Sequence, residues 1–242
     1  MTVLYVYGIV DAPSFDGADL NGHDGASVFP VPCESCAAVV SNLLRREIAP
    51  EPLSVWLHEQ VLQGLMRRHA VVPMRFGTIA ADASMLRDSV RLMHHALASD
   101  LGRLRGRVEF ALRVADIRAE RPPLREAERP SDAAQALPPG TRYLRARAER
   151  LRERIAGENA AGRLECALRR YLDRAAENAV WEHATTRSPT LLASYLVARD
   201  DVTAFVDAVA AVRQHHPALD FSCTGPWAPY SFVTMRPPET WR

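Results

Sequence analysis

Apolar and polar positions recur along this chain with two periods, and the periods predict the elements. From Val3 to Val10 the residues are β-branched or aromatic on both alternate faces, the pattern of a central strand covered on both sides. Residues 11–30 are rich in Gly, Asp and Pro and predict a loop, with a short strand over 37–41. Ser54 can cap a helix over 54–69, whose inner stripe is Leu57, Val61 and Leu65. Residues 71–77 predict a short strand interrupted by Pro73. Asp82 or Ser84 caps a further helix with Leu86, Val90, Met93 and Leu97 on one stripe. Over 107–114 the period returns to two. Val108, Phe110, Leu112 and Val114 face one way, and Arg107, Glu109 and Arg113 form a wet face.

Residues 116–140 change character, with five prolines, many charges and few large apolar groups. Such a stretch cannot bury enough to fix itself and predicts a linker or surface excursion. A long helical pattern follows over 141–179, with Leu144, Ala148, Leu151 and Ile155 on one stripe and Leu164, Leu168, Tyr171 and Ala175 continuing it. Gly157 and Gly162 weaken the helix between the two runs. Strand-like runs over 180–187 and 191–199 come next. A helix capped at Asp200 or Asp201, carrying Phe205, Val209 and Val212, then precedes a strand over 219–223. Each half mixes helices with short strands, several joined directly to one another, which implies mostly antiparallel sheets. The expected fold is α+β, with two tandem ferredoxin-like domains: 1–115, then the linker 116–140, then 141–242 opening on the long helix.

Composition narrows the function more than it names it. Apolar residues make up 48% of the 242 and charged residues 24%, ordinary for a globular chain with a sizeable core. The net charge is +1, so no long-range field steers the chain to nucleic acid or an anionic membrane. All 30 basic residues are Arg, which GC-rich coding explains more simply than selection for bidentate anion contacts. No run of about 18 apolar residues offers a membrane span, and the first residues lack the pattern of a signal peptide. The expected location is cytoplasmic.

Catalytic signals are faint. Cys33 and Cys36 have the spacing of a redox pair or half a zinc site, yet Cys166 and Cys223 stand apart from any second pair. His94-His95 and His215-His216 are adjacent, so on a helix their side chains diverge and read as solvated. Glu59 follows His58, but position 62 is Leu, which excludes the paired-histidine zinc motif. Phosphate-loop and nucleophile-elbow patterns are missing. No enzymatic activity, catalytic residue, cofactor or metal is therefore expected. The alternative is a small-molecule-binding or redox protein that uses a ferredoxin-like cleft and the Cys33/Cys36 pair.

Two segments stand out. In Val71-Val-Pro-Met-Arg-Phe-Gly-Thr78, Pro73 ends or edges a strand, Arg75 needs a partner if buried, and Gly77 permits a turn closed to other residues. The segment is either a structural corner or a docking loop presenting Arg75 and Phe76. In Thr224-Gly-Pro-Trp-Ala-Pro-Tyr-Ser-Phe232, two prolines stiffen a ribbon that carries Trp227, Tyr230 and Phe232. Stiff aromatics suit either an intramolecular plug or an anchor for a partner.

Together with Leu4-Tyr-Val-Tyr-Gly-Ile9, these segments resemble the GvpF/GvpL family of gas vesicle proteins. That family carries Leu-Tyr-x-Tyr-Gly-Ile, Val-x-Pro-x-Arg-Phe-Gly-Thr and Thr-Gly-Pro-Trp-Pro-Pro-Tyr-Ser-Phe in the same order. This chain departs once in the last motif, with Ala228 for the usual Pro, and Ala193-Ser-Tyr-Leu-Val197 resembles the family's Ala-Tyr-Leu-Val with a Ser inserted. The resemblance implies a minor, non-enzymatic gas vesicle protein of two α+β domains, located with gas vesicles. It also implies binding to the small hydrophobic shell subunit, in a nucleating, scaffolding or chaperone-like role, and contact with other gas vesicle accessory proteins. It implies neither nucleic acid nor a membrane as partner. Arg75, Phe76, Trp227, Tyr230 and Phe232 are the candidate partner-binding residues.

Overall fold

β1 (Val3–Val10) is buried at every position, as its two apolar faces require. In the computed structural model it lies inside a five-stranded sheet of order β2-β3-β1-β4, with β5 also paired to β1. The neighbours are β2 (Val28–Cys33), β3 (Cys36–Leu43), β4 (Val71–Pro73) and β5 (Ile79–Ala80). β1 pairs antiparallel with β3, β4 and β5, and β2 pairs antiparallel with β3. The residues described are 2–17, 19–44, 47–115, 138–185, 189–238 and 241.

β2 falls partly within the expected loop. Pro30 and Pro32 obscure it, yet both are compatible with its place at the end of the sheet. Two residues apart, they leave their missing N–H groups on the same edge, where no ladder bond is forgone. A two-residue turn, Glu34-Ser35, joins β2 to β3, so Cys33 and Cys36 sit opposite each other across a hairpin.

Helix α1 (Pro52–Met66) packs on β1 and β4 through Val61, Leu62 and Leu65. The next expected helix is two, α2 (Ala83–Leu92) and α3 (His94–Leu104), parted at Met93. Asp82 caps α2 by accepting from the N–H groups of Ser84 and Met85 at 2.8 and 2.9 Å. The predicted stripe persists through the break, since Leu86, Val90 and Leu97 are buried.

β6 (Arg107–Ala115) leads to α4 (Pro139–Leu172), β7 (Asn178–Thr185), β8 (Pro189–Ala198), α5 (Val202–His215) and β9 (Asp220–Trp227). The second sheet has the order β7-β8-β6-β9. A β-α-β-β-α-β run with the first strand between the third and fourth is the ferredoxin-like arrangement. The first sheet shows the same order, but among the described residues its β1–β2 connection carries only a short 3-10 turn (His23–Gly25) in place of an α-helix. The α+β class and the largely antiparallel pairing thus hold. Tyr195, Phe205, Val209 and Leu168 fill the second core, where α4 and α5 pack against β8.

The chain divides into two compact units, one of residues 1–110 with 225–242 and one of residues 111–224. The closing segment thus belongs with the first half of the chain, whereas the sequence alone suggests the second. Of the expected linker 116–140, residues 116–137 lie outside the described ones, as do 186–188 between β7 and β8.

Candidate functional site

Val71–Thr78 and residues 225–232 of the closing segment lie in the first unit, each fixed by buried polar side chains. β1 brings Tyr5 and Tyr7 into the core, and α1 brings His58, only 1% exposed, against them. The Tyr5 hydroxyl donates to His58 Nδ1 at 2.9 Å, and His58 Nε2–H donates to the carbonyl of Met74 at 3.1 Å. The same hydroxyl accepts from the N–H of Gly77 at 3.1 Å. One imidazole and one phenol therefore tie down both ends of Met74-Arg-Phe-Gly77. Gly77 takes φ +86, a conformation that other residues resist. Burial holds the His58 pKa down at about 4, with the Met74 carbonyl only partly offsetting it. His58 is a neutral structural pin at pH 7.

Within this corner Arg75 is exposed, and its carbonyl accepts from the N–H and hydroxyl of Thr78. Phe76 is half-buried, edge-on to Tyr5, His23 and His58 with ring centroids 5.8–6.2 Å away. This arrangement makes Phe76 part of an aromatic cluster and leaves Arg75 at the surface.

The closing segment is strapped down by three carboxylates from three elements. Glu59 of α1 accepts from the N–H of Ala228 at 3.2 Å and the hydroxyl of Tyr230 at 3.3 Å. Glu109 of β6 accepts from the N–H and hydroxyl of Ser231 at 2.8 and 2.6 Å. Asp100 of α3 accepts from the N–H groups of Thr234 and Met235 at 2.8 and 2.9 Å and the Thr234 hydroxyl at 2.7 Å. Every third backbone N–H, at 228, 231 and 234, thus meets an acid. Gln63 of α1 adds a bond to the carbonyl of Pro226 at 2.7 Å, and Arg103 bridges Asp100 to the carbonyl of Phe232. Gly225, with φ +142, lies so close to Phe110 that a Cβ would stand 2.7 Å from the ring.

Glu59 and Asp100 are shifted in opposite directions. Burial raises the Glu59 carboxyl above its usual range, and bonds from Gln63, Ala228 and Tyr230 offset that only in part. Burial acts on Asp100 too, but bonds from Thr234 and Met235 and the Arg103 guanidinium outweigh it and leave its pKa lowered. Tyr230 is pushed up by burial and by Glu59.

Glu109 corrects the expected wet face of β6: it is 6% exposed, because the closing segment covers it. Glu59, Asp100, Glu109, His58 and Tyr5 do not stand out as site residues in the sequence. Asp100 carries the one usable signal, a charge between Leu97 and Leu104 on the inner stripe of its helix. Of the proposed contact residues in the ribbon, Phe232 is buried at 4%, Tyr230 is half-buried and Trp227 is 40% exposed.

The cysteine pair has the opposite environment to a redox centre. Both thiols are buried in the hairpin and bonded to carbonyls of Val31 and Cys33 at 3.3 Å. Burial pushes the Cys36 thiol up to about 11 and raises Cys33 as well, whereas a reactive thiol needs a depressed pKa. No cluster of three His, Cys, Asp or Glu residues suited to a metal occurs among the described residues. Nor is any helix among them long and apolar enough to cross a membrane.

Together these features define a two-unit α+β protein built to hold an aromatic segment in one place. The family model described as gas vesicle synthesis protein GvpL/GvpF matches residues 3–234, and the chain belongs to that family. Gas vesicle protein F2 of Halobacterium salinarum is 28% identical over 236 residues, covering 96% of this chain and 92% of that protein. Gas vesicle protein L of a Streptomyces species is 31% identical over 183 residues, or 73% of this chain and 67% of that one. The crystal structure of GvpF from Anabaena sp. PCC7120 superposes with TM-score 0.78 at 18% identity, covering 98% of both chains. That of GvpF from Microcystis aeruginosa gives 0.73 at 21%, over 96% of this chain and 99% of the other. The two structures establish the shared fold, and family membership gives the chain a role in gas vesicle formation.

Proposed function

We propose that this protein is a non-catalytic assembly factor that binds the small hydrophobic shell subunit of the gas vesicle, with Trp227 as an anchor. The observation that carries this reading is the setting of Trp227. Its indole is 40% exposed while the residues on either side of it are tied to Gln63 and Glu59. A large aromatic held partly exposed at a fixed position loses little entropy when it docks. Leu53 and Trp56, 66% and 55% exposed, extend the apolar surface along α1 on the turns before Glu59.

A subunit rich in apolar surface needs such a surface covered until it joins the shell. The strap keeps Trp227 presented without moving parts, which suits a scaffolding or chaperone-like role. Purified Trp227→Ala should retain its unfolding midpoint but lose most of its capture of shell subunit in a pull-down. Full capture by a folded variant would refute the anchor. Normal buoyant vesicles after deletion of the gene would refute the assembly role itself.

A further inference from the structure

The first half of α4 carries an exposed apolar seam that neither core uses. Every described side chain over 141–159 is exposed, and burial begins only at Ala161, continuing through Leu164, Leu168 and Leu172. Within the exposed half, Leu144, Leu151 and Ile155 are 64%, 48% and 48% exposed, and Ala148 lies between them. Their spacing of four, three and four residues is the heptad repeat by which two helices pack. A narrow seam of this kind suits one partner helix better than a broad apolar surface.

Charge identifies the partner's chemistry. The positions that flank the seam and meet a partner's flanks are Arg145, Arg147 and Arg152, all exposed. Glu149, paired with Arg145 at 3.3 Å, lies on the outer side of the helix. A second copy of this chain would set arginine against arginine, a juxtaposition that suppresses pairing. A membrane-surface helix needs a wide apolar face with bulky anchors, whereas this seam is four residues long and holds no aromatic.

We propose that the N-terminal half of α4 docks an amphipathic helix of another protein whose apolar seam is flanked by Asp and Glu. This surface belongs to the second unit and does not depend on the role of Trp227.

The test uses the full chain and a labelled synthetic peptide of about four heptads, with Leu at the seam and Glu at the flanks. Its twin carries Lys at the flanks. Fluorescence anisotropy should show the Glu peptide binding at least about tenfold more tightly than its twin, with affinity falling as salt rises. Leu151→Asp should abolish that binding and leave the melting temperature unchanged, because Leu151 is exposed. Trp227→Ala should bind the peptide as the parent does, which separates this surface from the shell-subunit reading. Equal binding of both peptides, or undiminished binding by Leu151→Asp, would overturn the proposal. So would self-association, or binding to vesicles of equal parts phosphatidylserine and phosphatidylcholine, if Leu151→Asp abolished either.

Discussion

The backbone N–H of Ala228 donates to Glu59 Oε1 at 3.2 Å, across 169 positions of sequence. A proline there, the family's usual residue, could not make that bond. Glu59 is raised by burial above the ordinary 4.5, so its ionised form is less favoured in the fold than in the unfolded chain. Ionisation therefore costs stability as pH rises through the folded pKa. Glu59→Gln should be neutral or stabilising at pH 7, and the parent should gain on it as pH falls towards 4.5. Glu59→Ala leaves the Ala228 N–H and Tyr230 hydroxyl without their acceptor and should cost about 2–3 kcal/mol. Urea titrations of the three proteins at pH 7 and pH 5 check both signs.

Asp100 has the opposite sign. Its pKa lies below the ordinary 3.8, so its contribution is complete above pH 3.8 and is lost as pH falls through the folded value. Asp100→Ala strands the Arg103 charge and three donors of the strap, and should cost about 3–5 kcal/mol at pH 7. Asp100→Asn should be intermediate, and its deficit should shrink in strong acid. Thermal melts from pH 7 downward test this; a deficit independent of pH would contradict it.

His58 provides a third titration. Its imidazole is neutral in the fold down to about pH 4, while the unfolded chain protonates it near 6.5. The unfolded chain binds the extra proton between those values, so stability falls as pH drops from 6.5 to 4, by about 3 kcal/mol in all. Glu59 works against this trend above 4.5, so the clean measure is the difference between the parent and His58→Gln. That difference should narrow with acid. A proton NMR titration of the His58 ring should show no midpoint above about pH 5.

The cysteines make a simpler prediction. Iodoacetamide at neutral pH should modify the exposed Cys166 well before Cys33 and Cys36, whose raised pKa values keep them as thiols. Peptide mapping by mass spectrometry resolves the order. Early modification of Cys36 would reopen a redox role for the hairpin.

What the sequence discloses follows from how local each cause is. β1 is legible because both of its faces are apolar, and α1 because its stripe has one period. β2 is hidden by Pro30 and Pro32, residues that local pattern reads as turn and that only an edge position reconciles with a strand. The alternation across β6 is read correctly, yet Glu109 is buried by Ser231, which returns from 122 positions away. A polar residue on a polar face gives no hint of that cover. Asp100 is more legible, since an acid on an apolar stripe must find donors. The two motifs announce themselves, but whether each is a corner or an anchor depends on Tyr5, which lies in the distant first strand, and on His58 and three acids that no motif contains.

Trp227 and Phe232 lie five residues apart on the same ribbon, and the fold assigns them opposite fates. Phe232 is 4% exposed and Trp227 40%. Phe232→Ala should therefore destabilise by about 3–5 kcal/mol, the cost of a lost core aromatic and its cavity. Trp227→Ala should cost about 1 kcal/mol or less. Chemical denaturation of both variants measures the contrast directly. If Trp227→Ala unfolds the protein as Phe232→Ala does, the indole is part of the core and cannot be presented to a partner. If the contrast holds, the ribbon is a plug at Phe232 and an anchor at Trp227, because the acids that fix the backbone between them set one ring inside and leave the other partly exposed.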